Sequence, residues 1–106
     1  MNEANPYLTG YNNCNREIEI SKFELDAASD KPFYMQLARQ LQNAIEQGHH
    51  NPQKPLPSTL QLQRALEISG NTAFQAYLHL TRKGLVAWIK GEGFYLASKK
   101  RGEKYQ

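Results

Sequence analysis

Two serines, Ser58 and Ser69, stand eleven residues apart, and each is followed by a stretch with helical spacing of apolar residues. Both occupy the place where a helix needs a side-chain oxygen for its first orphan N–H groups. Ser58 follows Pro57, and Ser69 follows the apolar Ile68. The linker Glu67-Ile68-Ser69 leaves room for a sharp corner and nothing longer. The segment from Leu56 to Leu80 is therefore expected to form two short helices in the helix-turn-helix layout. In the second, from Gly70 to Lys83, Ala73, Ala76, Tyr77 and Leu80 make an i, i+3, i+4, i+7 stripe that must face a core. Gly70, Asn71, Gln75 and His79 lie opposite, with Thr72 and Phe74 near the edges. In the first, Leu60 or Leu62 turns inward together with Leu66. Lys83-Gly84 places a cation and a glycine where a helix closes.

The chain that surrounds this pair has 106 residues, enough for one small core. Upstream, Tyr34, Leu37, Ala38, Leu41 and Ile45 mark one face of a further helix. Asp30 is its expected cap, Pro32 sits in its first turn and Gly48 ends it. Before it, Ile18, Ile20, Phe23 and Leu25 alternate with Glu17, Glu19 and Glu24, with a slip near Ser21-Lys22. That pattern predicts a short half-buried strand. Downstream, Leu85–Lys90 and Phe94–Ala97 predict two strands joined by Gly91-Glu92-Gly93, a hairpin. Trp88 and Tyr95 are expected to pack across it. A hairpin directly after a helix-turn-helix has the form of a wing. The fold class expected is α+β: a winged helix-turn-helix with three helices, a C-terminal β-hairpin wing and a short N-terminal strand. Residues 17–98 would form this domain. Residues 1–16, rich in Asn and Tyr without period, would be a flexible arm, and 99–106 a basic tail.

Charge is uneven. Residues 1–30 carry six acids and two bases, whereas 31–106 carry eleven bases and four acids, within a total of +3. A basic body attracts polyanions through counterion release. Cys14 is the one cysteine, so neither an intramolecular disulfide nor a cysteine zinc site can form. His49 and His50 adjoin in a proline-punctuated loop but lack further ligands at metal spacing, and no metal or cofactor is expected. No apolar run approaches the ~20 residues of a membrane span, and no signal-peptide pattern opens the chain, so a cytoplasmic location is expected. His49, His50 and His79 have no nucleophile at matching spacing, which argues against an enzyme.

Several motifs, in order, resemble one family. Pro32-Phe33-Tyr34 with Gln36-Leu37, Ala44-Ile45 with Gly48, and Leu56-Pro57-Ser58 are followed by Asn71-Thr72, Ala76-Tyr77 and Leu80. Gly84-Leu85-Val86 and Gly91-Glu92-Gly93-Phe94-Tyr95-Leu96 complete the set, and Phe23-Glu24-Leu25-Asp26 precedes it. Together they resemble the winged-helix DNA-binding domain of the GntR family of bacterial transcription regulators, nearest its short YtrA-type and MocR-type branches. The resemblance implies a small DNA-binding transcriptional regulator with double-stranded DNA as partner, and by analogy a homodimer on a palindromic site. Asn71, Thr72, Phe74 and Gln75 would face bases. Ser58, Thr59, Ser69 and Gly70 would lie at the helix N-termini that hold phosphates. Lys90 and Gly91 on the wing, with Lys99, Lys100 and Arg101 in the tail, would add further contacts.

Two features depart from the family. Leu60 and Gly70 stand where it usually carries arginine, and Phe74 and Gln75 where it is often basic. The chain also extends only some ten residues past the wing, so no small-molecule effector or separate dimerisation module is expected. The alternative is a winged-helix protein-interaction module, with Leu60, Gly70 and Phe74 as its partner surface.

Overall fold

The computed structural model describes residues 17–97. The arm at 1–16 and the tail with Lys99, Lys100 and Arg101 lie outside the described residues. Three helices run in order: α1 (Phe33–Glu46), α2 (Thr59–Leu66) and α3 (Gly70–Arg82). Two strands follow, β1 (Val86–Ile89) and β2 (Gly93–Leu96), paired antiparallel with Val86 opposite Leu96 and Trp88 opposite Phe94. α3 packs on α1 along one side and on α2 along the other.

The apolar stripes meet in one core. Leu37, Ala38, Leu41 and Ile45 of α1 face Ala73, Ala76, Tyr77 and Leu80 of α3, all buried as their spacing requires. The inward leucine of α2 is Leu62, fully buried, while Leu60 stays 48% exposed. Val86, Phe94 and Leu96 close the core from the hairpin. Gly91 (φ 81°) and Gly93 (φ 115°) let the loop after Ile89 reverse within three residues.

Two expectations are corrected. Residues 17–26 form no strand; Ile20–Lys22 is a turn of 3-10 helix. The alternation breaks at Ser21-Lys22, and the backbone there finds side chains instead of a neighbouring strand. Gln40 of α1 accepts from the Glu24 N–H (3.0 Å) and donates to the Glu24 carbonyl (2.7 Å). Gln36 does the same for Asp26, accepting at 2.7 Å and donating at 3.0 Å. Two glutamine amides thus do what an adjacent strand would do. Ile18 still buries itself, and Ile20, Phe23 and Leu25 pack against the core.

The second correction concerns the start of α1. Pro32, not Asp30, occupies the N-cap, with extended backbone and no side-chain cap. Its carbonyl accepts from the Met35 and Gln36 N–H groups. Lys31 precedes a proline, which disfavours helical backbone there and keeps Asp30 out of reach.

His50, read from sequence as a loop residue, is 1% exposed. Its Nδ1 accepts from the Ile18 N–H at 3.2 Å, and its Nε2 faces the carbonyls of Lys54 and Pro55, each at 3.1 Å. The neutral Nε2–H tautomer satisfies all three. The ring pins the N-terminal segment to the loop before α2. Burial pushes its pKa below the ordinary 6.5.

Candidate nucleic-acid interface

The exposed side of α3 begins at a double cap. The Ser69 Oγ accepts from the Thr72 N–H at 3.0 Å and donates to the Thr72 Oγ1 at 2.9 Å. At α2, Ser58 and Gln61 form a reciprocal capping box: the Gln61 N–H donates to the Ser58 Oγ at 3.0 Å, and the Ser58 N–H to the Gln61 Oε1 at 2.8 Å. Both serine hydroxyls therefore serve their own helices. The caps take the third N–H of each helix and leave the first two, on Thr59 and Leu60 and on Gly70 and Asn71, as the usual orphan donors of a helix start.

A knot of contacts brings α2, α3 and the wing together. The Tyr77 hydroxyl of α3 donates to the Pro57 carbonyl just before α2. Burial holds that phenol far above its ordinary pKa of 10, so it remains a donor. The Leu56 N–H donates to the Phe94 carbonyl of β2 at 2.8 Å. The Phe94 ring stacks on Tyr77 with centroids 4.3 Å apart and planes at 22°. Phe74 lies 6.4 Å from that ring on the α3 side, and Trp88 lies 4.9 Å from it on the wing side.

On this scaffold Asn71 is exposed, Thr72 and Gln75 are half-buried, and Phe74 is 45% exposed. Thr59 is half-buried at the start of α2, and Lys90 and Gly91 are exposed in the wing loop. Gly70 opens α3 beside Gln63: a Cβ there would lie 2.9 Å from Gln63 Oε1. His79 is not on this side. Its ring meets Tyr34 of α1 edge-on at 6.4 Å, so it belongs to the α1–α3 seam. Trp88 packs across the hairpin on Phe94, whereas Tyr95 stands opposite Ala87 on the other face. Phe94 and Trp88 are the contributors that sequence reasoning left out of the site. The available signal was the two-residue alternation of the hairpin, which sets Phe94 inward.

Two shallow clefts lie away from this side. One, about 480 Å³, runs between α1 and the C-terminal half of α3, lined by Lys31, Arg39, His79 and Lys83 among others. The other, about 640 Å³, is bordered by Ile18, Phe23, Ala44 and His49. Neither includes the first turns of α3 or the wing loop.

Charge sharpens the picture. Residues 17–97 hold eight bases and eight acids. The excess of +3 resides in 98–106, where Lys99, Lys100, Arg101 and Lys104 outnumber Glu103.

Residues 33–96 match the sequence profile of the bacterial regulatory proteins of the gntR family. The chain belongs to the GntR family. It is 30% identical over 74 residues to the HTH-type transcriptional repressor YtrA of Bacillus subtilis (strain 168), covering 70% of this chain and 57% of that relative. The chain thus spans little more than half the length of that GntR repressor. Among solved structures, it resembles YtrA from Sulfolobus acidocaldarius, a GntR-family transcription factor, with a TM-score of 0.67 and 26% identity over 78% of this chain and 93% of that one. It also resembles the AraR DNA-binding domain in complex with operator ORX1, with a TM-score of 0.62 and 25% identity over 70% of this chain and 92% of that one. These neighbours agree with three helices and a two-stranded antiparallel wing. Among the described residues, no helix is long and apolar enough to cross a membrane.

Proposed function

We propose that this GntR-family chain is a transcriptional regulator that binds double-stranded DNA. The observation that carries the reading is the arrangement of exposed groups. The first turns of α3, the start of α2 and the wing loop are held together by the Tyr77–Pro57 and Leu56–Phe94 bonds. In that arrangement α3 enters a major groove by its N-terminal half, and Asn71, Thr72, Phe74 and Gln75 meet base edges. The free N–H groups opening α2 and α3, at Thr59, Leu60, Gly70 and Asn71, hold phosphates, with Ser58 and Ser69 fixing the helix starts. Lys90 and Gly91 follow the wing to the neighbouring groove. Lys99, Lys100 and Arg101 supply most of the salt-dependent attraction, because the rest of the chain is close to neutral. A two-fold pair of chains on a palindromic site is the assembly proposed by analogy.

A second reading rests on Leu60, Phe74 and Trp88, which are 48%, 45% and 59% exposed. Side chains of this kind also anchor protein partners. An anisotropy titration against a random duplex pool in ~50 mM salt separates the two. Saturable binding that weakens as salt rises supports the DNA reading, and absence of binding rejects it.

A further inference from the structure

The Phe74 ring is large, apolar and half exposed, and it is not loose. It leans on Phe94, with ring centroids 6.4 Å apart and planes at 56°. Phe94 is in turn stacked on the fully buried Tyr77 at 4.3 Å and covered from the wing by Trp88 at 4.9 Å. The exposed ring is thus the outer end of an aromatic column rooted in the core. Little side-chain entropy remains to be lost when something packs against it.

Its neighbours restrict what that partner can be. From Gly70 to Gln75 the first turns of α3 contain no cationic side chain, so no guanidinium or ammonium is available there to grip guanine O6 and N7. Gln75 lies next to Phe74, and a glutamine amide suits adenine N6 and N7. In a major groove the one apolar group on a base edge is the thymine 5-methyl. A phenyl ring set against cytosine would instead desolvate an amino group without bonding it.

Resting on the DNA-binding reading above, we propose that Phe74 is a specificity residue that reads a thymine methyl. Each recognised half-site then carries an A·T pair facing the middle of α3, with thymine favoured over cytosine at that position. Trp88 closes the wing side of the same apolar step.

The test is a selection of duplexes from a random pool with the full chain, followed by thymine-to-uracil replacement at each position of the enriched site. Uracil removes the methyl and leaves the pairing edge intact. Burying one methyl corresponds to roughly fourfold in affinity, so one thymine per half-site should lose about that much on replacement. Phe74→Ala, altered at an exposed ring and checked for an unchanged thermal transition, should bind the thymine and uracil duplexes equally. The uracil scan on the wild-type chain stands even where the variant is unstable. An enriched site in which every uracil is tolerated overturns the inference, as does a uracil penalty that persists in Phe74→Ala. DNA retained without an enriched site overturns it while leaving DNA binding in place. Failure to retain any DNA overturns both readings and leaves the aromatic step to a protein partner.

Discussion

Gly70 opens the helix proposed to enter DNA, and replacing it by arginine is expected to tighten binding. The structure sets the cost. A Cβ at position 70 would meet Gln63 Oε1 at 2.9 Å and Gln63 Cδ at 3.3 Å. These atoms form the end of a flexible side chain, so a rotamer change clears the space. Removing glycine from the helix gains up to about 1 kcal/mol. A cation in the first turn loses about 0.3–1 kcal/mol against the helix dipole. The two nearly cancel, and the thermal transition should shift little. On DNA the guanidinium would stand beside the orphan N–H groups of α3, where phosphate and guanine edges lie. A bidentate base contact is worth ~1–3 kcal/mol, or at least about fivefold in affinity. The assay is an anisotropy titration of one duplex with the wild-type chain, Gly70→Arg and Gly70→Ala, the last isolating the propensity effect. Arginine should tighten binding at least about fivefold while alanine leaves it unchanged. If folded Gly70→Arg binds no more tightly than Gly70→Ala, α3 does not approach DNA by its N-terminus.

Two further predictions concern the scaffold. His50 is held neutral by burial, with its pKa below 6.5. Below pH 6.5 the unfolded chain binds a proton that the folded chain does not, so stability should fall as pH drops from 6.5 toward the lowered folded value. Urea midpoints at neutral and mildly acidic pH should show that loss, and His50→Ala should be less stable at neutral pH with this part of the pH dependence gone. Tyr77→Phe leaves the Pro57 carbonyl without its donor and should cost about 1–3 kcal/mol by urea denaturation.

The helix-turn-helix was legible because its signals are local. The two serine caps, the Ala73-Ala76-Tyr77-Leu80 stripe and the glycine-bounded hairpin each express rules that act within a few residues. The failures came from longer range. The strand expected at 17–26 is replaced by a segment held through Gln36 and Gln40, ten and sixteen residues further along, and periodicity carries no sign of such pairing. His50 looked like a loop histidine because its donor, Ile18, lies 32 residues away. Leu60 and Leu62 could not be told apart because α2 has only eight residues, too few for a stripe to declare itself. Helical spacing alone sets His79 on the open face, because its partner, Tyr34, belongs to another helix. Helical spacing was enough to keep Asn71 and Phe74 out of the core, whereas the aromatic column behind Phe74 was not legible. Phe94 and Trp88 reach it only through the fold.

The claim that this chain binds DNA is tested most directly by the salt dependence of binding, with and without residues 99–106. That segment carries Lys99, Lys100, Arg101 and Lys104, while residues 17–97 are balanced in charge. The full chain should bind duplex DNA at ~50 mM salt and weaken steeply toward ~200 mM. Removing the segment should flatten the log–log slope by up to about 0.9 for each cation that had met a phosphate. Absence of binding at ~50 mM salt, or binding indifferent to salt in both chains, would contradict the claim.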